Sequence, residues 1–195
     1  SVQATNLILF KGNEIHSFNT DYMAALSFLQ REDRCPQKFY IIGCGGVAKA
    51  SAIACCNYIL NCGQSHLNKI VLSNRNYIKA LEFATKLQDK IDFVVAPFGE
   101  IAQIFSNDTY ESKILFYTLP TDTKILEYIG RNASGNVRVI EPNYLAPSKF
   151  EKDRANISYI GGIEWLIEQA IYGFSIFTGE KPNKGSMYSL VDLKK

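Results

Sequence analysis

The sequence predicts an α/β protein built on a parallel sheet. Three observations carry this. Short apolar runs alternate with helical patterns along the chain. Most of the strand-like runs are apolar at every position, as strands covered on both faces are. One glycine-rich turn lies between such a run and a helix.

The elements come in a regular order. Residues 6–10 and 14–18 read as two strands joined by Lys11-Gly12-Asn13, a hairpin connection. Asn19-Thr20 is placed to cap a helix beginning near Asp21, with Met23, Ala25, Leu26 and Leu29 as its stripe. Residues 39–43 form a short apolar strand. A helix over 46–61 comes next, with Gly63 placed to stop it. The alternation then repeats: strand 69–73 and helix 76–88, strand 91–96 and helix 100–105, strand 113–118 and helix 123–129. Strands at 137–141 and 157–160 precede a long helix over 163–177, and 187–193 reads as a final helix.

Composition sets bounds. The chain has 195 residues, 47% hydrophobic and 21% charged, enough for a sizeable core. No apolar run approaches the roughly 20 residues of a membrane span, so no membrane partner is expected. Residues 1–6 lack the basic start and apolar stretch of a secretion signal. The formal net charge is +2, from 21 basic and 19 acidic residues that are interspersed, so nucleic acid is not an expected partner. Five cysteines without a Cys-x-x-Cys pair, and only His16 and His66 as histidines, argue against a metal site. Free, mostly buried thiols in a reducing cytoplasm are the simple expectation. Asn6-Leu7-Ile8-Leu9-Phe10 opens as a strand with no lead-in, which suggests a segment missing upstream.

The strongest local feature is Gly43-Cys44-Gly45-Gly46-Val47-Ala48. Gly43 permits a tight turn. Gly45 removes the side chain where backbone must approach a pyrophosphate, and Ala48 allows close helix–strand packing. The N–H groups of the helix start would then face phosphates. A plain glycine-rich turn without a ligand is the competing reading. The next strand ends in Ser73-Asn74-Arg75 and offers no carboxylate for ribose hydroxyls. Asn74 and Arg75 suit a 2′-phosphate instead, so NADP is expected rather than NAD. Alone, Arg75 would pass as a surface arginine. Cys44 beside a helix N-terminus would have a lowered pKa, but no base is adjacent, so no cysteine chemistry is expected.

Read along its whole length, the sequence resembles the shikimate dehydrogenases, specifically their C-terminal NADP domain of Rossmann-like, doubly wound architecture. Ala4-Thr5-Asn6 is similar to the family's Ala-Val-Asn, and Asn19-Thr20-Asp21 matches its Asn-Thr-Asp. The segment Gly43 to Ala50 is similar to Gly-Ala-Gly-Gly-Ala-Ala-Arg-Ala. Tyr144 and Pro147 resemble Tyr-x-Pro with one extra residue between. Gly162, Leu166 and Gln169-Ala170 fall on Gly-Leu-x-Met-Leu-x-x-Gln-Ala. Phe174 and Phe177-Thr178-Gly179 fit the family's next phenylalanine and its Trp-Thr-Gly.

The resemblance implies reversible reduction of 3-dehydroshikimate to shikimate with NADP. It implies Asp21 as one half of a catalytic Lys/Asp pair, with Asn6, Tyr144 and Gln169 contacting substrate. Cofactor contacts would come from Gly43, Gly45, Gly46, Val47, Ala48, Asn74, Arg75, Thr118, Leu119, Pro120 and Gly162. The family's lysine lies in an N-terminal substrate domain. Residues 1–35 would then be the boundary of that missing domain, 36–160 the NADP-binding domain, and 161–195 helices returning to the substrate side. The 195 residues alone are expected to be inactive, and the protein a monomer or homodimer. Without the family, Asp21 would pass as a first-turn carboxylate, and Gln169 as a helix-face polar residue.

The chain also departs from the pattern. Tyr117 to Thr123 replaces the family's Asn-Ala-Thr-Pro-x-Gly-Met. Trp165 stands at a methionine position near the nicotinamide, where core packing is the plain reading. Glu141 replaces an aspartate, and Ala24 a glycine. These changes leave open a non-catalytic NADP-binding module of the same fold. Glutamyl-tRNA reductases and methylene-tetrahydrofolate dehydrogenases have similar NADP domains, but Asn-Thr-Asp and Gln169 argue against them.

Overall fold

The computed structural model describes residues 4–63, 69–89, 91–120, 124–148 and 154–192. Six parallel strands form the main sheet: β3 (Lys38–Ile42), β4 (Lys69–Ser73), β5 (Asp92–Ala96), β6 (Ser112–Tyr117), β7 (Asn136–Ile140) and β8 (Ile157–Ile160), in the order β5-β4-β3-β6-β7-β8. The order reverses between β3 and β6, the switch point at which open α/β sheets bind ligands.

Seven helices are present among the described residues: α1 (Thr20–Leu29), α2 (Gly46–Asn61), α3 (Tyr77–Thr85), α4 (Ile101–Asn107), α5 (Lys124–Asn132), α6 (Gly162–Thr178) and α7 (Lys184–Asp192). They cover both faces. Phe39, Ile41, Ile70, Leu72, Ile114 and Phe116 point to one face, packed by α1, α2, α3 and α6. Tyr40, Ile42, Val71, Leu115 and Tyr117 point to the other, packed by α4 and α5. The strand period of two sends neighbours to opposite cores, and both cores need apolar side chains. No helix of the described residues is long and apolar enough to cross a membrane.

The expected helix over 46–61 and the strands 69–73, 14–18 and 157–160 match their observed bounds. Elsewhere ends differ by one to three residues. The central strand is 38–42, because Gly43 at φ +121° leaves strand geometry. The helix predicted over 76–88 ends at Thr85, and the one over 123–129 runs on to Asn132. The stretches predicted at 100–105 and 187–193 are helices at 101–107 and 184–192. Thr121 to Thr123 and Leu193 lie outside the described residues, as does His66.

Residues 7–18 form an antiparallel hairpin, β1 (Leu7–Lys11) and β2 (Glu14–Phe18), a two-stranded sheet of its own. Lys11 pairs with Glu14, so the loop is only Gly12-Asn13, one residue shorter than expected. Leu7 lies against α6 near Gly173. Ile8, Phe10 and Ile15, on the other face, are exposed.

Candidate functional site

α1 brings the first group together. Asn19 caps the helix, accepting from the Tyr22 N–H at 2.8 Å. That cap fixes Asp21 in the first turn. The Asn6 amide clamps the hairpin to the same helix: its oxygen accepts from the Thr20 N–H at 2.8 Å, and its NH2 donates to Asp21 Oδ2 at 3.1 Å. Asp21 Oδ1 accepts from Trp165 Nε1 at 3.2 Å and from the Gln169 amide. Burial pushes the Asp21 carboxyl above its ordinary range, while the bonds from Trp165 and Asn6 pull the other way. Asn6, Asp21 and Gln169, which the family resemblance implied would share the substrate site, therefore meet. Trp165 is core, as its plain reading has it, and 2% exposed. It is also a hydrogen-bond donor to this carboxylate, which the sequence did not reveal.

The second group lies at the sheet's switch point. The Gly43 N–H donates to Ser73 O at 2.8 Å, and Thr118 N and Oγ1 each donate to Ile42 O at 2.9 Å. These bonds join the C-terminal ends of β4, β3 and β6. A Cβ on Gly43 would sit 2.2 Å from Thr118 Oγ1. Gly45 and Gly46 are different. Among the described residues nothing lies within 4 Å of a Cβ at either position, and Gly45 caps α2 without any side-chain hydrogen bond. The exposed glycines therefore front open space beside helix N–H groups that no side chain caps, an arrangement that fits an anion. Val47 is half-buried and Ala48 is buried in the core.

Asn74 and Arg75 follow β4 at this same edge. Asn74 is half-buried and its Nδ2 donates to Asn76 O at 3.0 Å; Arg75 is exposed. Leu119 is buried and Pro120 exposed, with Pro120 O accepting from Asn143 Nδ2 at 3.2 Å. Gly162 is buried, and a Cβ there would lie 2.4 Å from Asn143 C and Tyr144 N. The 143–144 backbone thus rests on the start of α6. The Tyr144 side chain is exposed and is not among the hydrogen-bond partners of Asp21 described above.

Cys44 is a core thiol, as its plain reading has it. It is 3% exposed, and burial raises its pKa against the pull of Lys49 and Lys79. Its thiol packs against Lys79 O rather than facing the helix axis as a thiolate. Cys55 and Cys56 are also buried; Cys35 and Cys62 are only partly so. His16 is partly exposed and lies 3.1 Å from Glu14.

A buried carboxylate on α6 escaped the sequence reading. Glu168 is 2% exposed and gathers Arg31, Lys184 (2.6 Å), Ser27 (3.1 Å) and Tyr188 (3.0 Å). It ties α1, α6 and α7 together one residue from Gln169. Desolvation would raise its pKa, but Lys184 and Arg31 outweigh this and hold it below the usual range. Its stabilisation is therefore present above the unfolded value near 4.5 and is lost as pH falls through the lower folded value. Glu168→Gln should cost about 1–3 kcal/mol at pH 7. Denaturant midpoints across pH 3–7 check this: the gap to wild type should close at the acid end.

No protein-family model matches the chain. A curated relative, shikimate dehydrogenase (NADP(+)) of Methanosphaera stadtmanae, is 25% identical over 191 residues, 93% of this chain and 65% of the relative. The chain is similar to the shikimate dehydrogenases. It spans about two thirds of their length. Two solved structures share its fold. A shikimate dehydrogenase in complex with NADP+ superposes with a TM-score of 0.70 at 21% identity, covering 99% of this chain and 67% of that one. The Listeria monocytogenes shikimate 5-dehydrogenase, in complex with shikimate and NAD, gives 0.73 at 16% identity, covering 97% and 68%. The Rossmann-like architecture expected from the sequence is therefore the architecture of the shikimate dehydrogenases.

Proposed function

We propose that this chain is the cofactor-binding part of an NADP-dependent shikimate dehydrogenase. The observation that carries the reading is the carboxylate of Asp21, held by Asn6, Trp165 and Gln169 at the start of α1. That helix packs on α2, whose N-terminus is the open glycine turn, through the Asn57–Tyr22 bond of 2.8 Å. On this reading residues 36–160 bind the nucleotide, and residues 1–35 and 161–195 form one wall of the substrate site.

The residues present fit NADP. Gly45 and Gly46 leave room for a pyrophosphate at the start of α2. Arg75, exposed at the end of β4, is free to swing onto a 2′-phosphate, with Asn74 beside it. A bound nicotinamide supplies hydride exchange at the carbonyl carbon. Asp21 then acts on the oxygen: it shares the proton that the alcohol loses in oxidation and the ketone gains in reduction. Its partner in that role is a lysine brought by a substrate domain outside these 195 residues. Asn6 and Gln169 would orient the substrate hydroxyls.

The test is reduction of NADP+ by shikimate, followed at 340 nm, for the 195-residue chain and for a form joined to a substrate domain. Turnover only in the joined form is expected. NADP binding without turnover in the joined form would leave the non-catalytic module. Arg75→Ala should weaken NADPH about tenfold, ~1.4 kcal/mol, and leave NADH unchanged by calorimetry.

A further inference from the structure

Trp165 carries a feature that neither packing nor the resemblance requires. Its indole is 2% exposed, stacked on Phe28 (centroids 5.8 Å, 24° between planes) and edge-on to Phe116 (6.4 Å, 81°). Two aromatic neighbours fix the ring in the core. Its one polar atom, the N–H, ends at Asp21 Oδ1. A buried indole N–H left without an acceptor is costly, so this bond persists whatever happens at the surface. Gln169 shares the same oxygen from a half-buried side chain one turn further along α6. Asp21 therefore has one permanent donor and one exchangeable donor on Oδ1, with Asn6 on Oδ2.

We propose that Trp165 is the positioning residue of Asp21. Its indole N–H anchors Oδ1 to the core, aims the Oδ2 edge at the substrate, and leaves Gln169 able to exchange its bond from the carboxylate to a ligand. The inference rests on the reading of Asp21 above, but its test needs no turnover.

The charged groups on the elements packed around Asp21 have neighbours of their own. On β1 and β2, Lys11 lies across from Glu14 at the turn end, and Glu14 meets His16. On α2, Lys49 lies over the Phe83 ring. On α6, Glu164 bears on Tyr159, and Glu168 holds Arg31 and Lys184. Burial disfavours the ionised carboxylate, and the bonds from Trp165 and Asn6 favour it.

The chain contains one tryptophan, so its indole ¹H–¹⁵N resonance is unique. In the wild-type protein that resonance should move through a single step between about pH 3 and 8, with a midpoint above the ordinary aspartate value of about 3.9. Asp21→Asn should abolish the step while the near-UV circular dichroism persists. A flat indole resonance in folded wild-type protein overturns the proposal, as does a step that survives Asp21→Asn. Trp165→Phe keeps the stacked ring and deletes the N–H. It should raise the Asp21 ¹³C-carboxyl midpoint by about one pH unit. An unmoved midpoint assigns Trp165 to packing alone and overturns the proposal too. If Trp165→Phe fails to fold, the wild-type indole titration decides. A titrating indole in a protein that never oxidises shikimate would remove the proposed activity and leave the anchor standing.

Discussion

Gly162→Ala should cost about 3 kcal/mol or more, among the largest losses from any single methyl in the chain. The added Cβ would lie 2.4 Å from Asn143 C and Tyr144 N and 2.5 Å from Asn143 O. All three are backbone atoms, so no flexible side chain can yield. The Asn143 segment is also held in place: its amide donates to Ala146 O (2.6 Å) and Pro120 O (3.2 Å), and its oxygen accepts from Ala146 N (3.1 Å). Relief requires the loop to lift or the start of α6 to shift, and Trp165 and Gln169 lie in the next turns of that helix. Gly45→Ala is the control. Its φ of −82° suits any residue and nothing lies within 4 Å of the new Cβ. Its folding cost should be within about 0.5 kcal/mol. Urea midpoints for the two variants check the contrast. A Gly162→Ala protein as stable as wild type would mean that the loop does not rest on α6.

This contrast shows what a glycine pattern in a sequence conveys. Gly43, Gly45, Gly46 and Gly162 were all implied as cofactor contacts. The structure gives them different local reasons. Gly43 has φ +121° and meets Thr118; Gly162 meets the 143–144 backbone; Gly45 and Gly46 face open space. Glycine is one letter for several constraints, and only coordinates separate them.

The fold was legible because its signals are local. Ser73 and Asn61 end their elements where the strand pattern and Gly63 place them, and parallel pairing comes from alternating strands and helices. The Asp21 site was legible only through resemblance. Asp21 and Gln169 are 148 residues apart, and no periodicity links them. Trp165 reads as core and is core; its second role depends on which way one N–H points. Glu168 escaped: it lies three residues after Trp165, on the buried face of α6. A carboxylate there demands a partner, but Arg31, 137 residues away, could not be named from sequence. Cys44 reads as a small core residue and is one, and its burial raises the thiol's pKa.

Asp21→Asn should lower the rate of shikimate oxidation by roughly 10²–10⁴-fold in a protein that holds the complete substrate site, with NADPH affinity unchanged. The amide nearly preserves the carboxylate's volume, and its oxygen can still accept from Trp165 and Gln169. Two things are lost. The group no longer takes or returns a proton, and its NH2 now confronts the Asn6 NH2, whose own oxygen is committed to the Thr20 N–H. A pH profile separates these losses from a packing fault. Burial raises the Asp21 carboxyl, so the wild-type kcat/KM for alcohol oxidation should fall, as pH decreases, at a higher pH than an ordinary aspartate would give. The residual activity of Asp21→Asn should show no such limb. The same shift has a stability sign. A carboxyl raised on folding binds its proton more tightly in the native state, so stability falls as pH rises from the unfolded value near 3.8 to the higher folded one. Glu168, lowered by Arg31 and Lys184, gains stability over the range just below its unfolded value. Two carboxylates joined to the same pair of helices thus titrate in opposite senses. One strengthens the α1–α6–α7 junction when ionised; the other weakens the fold when ionised.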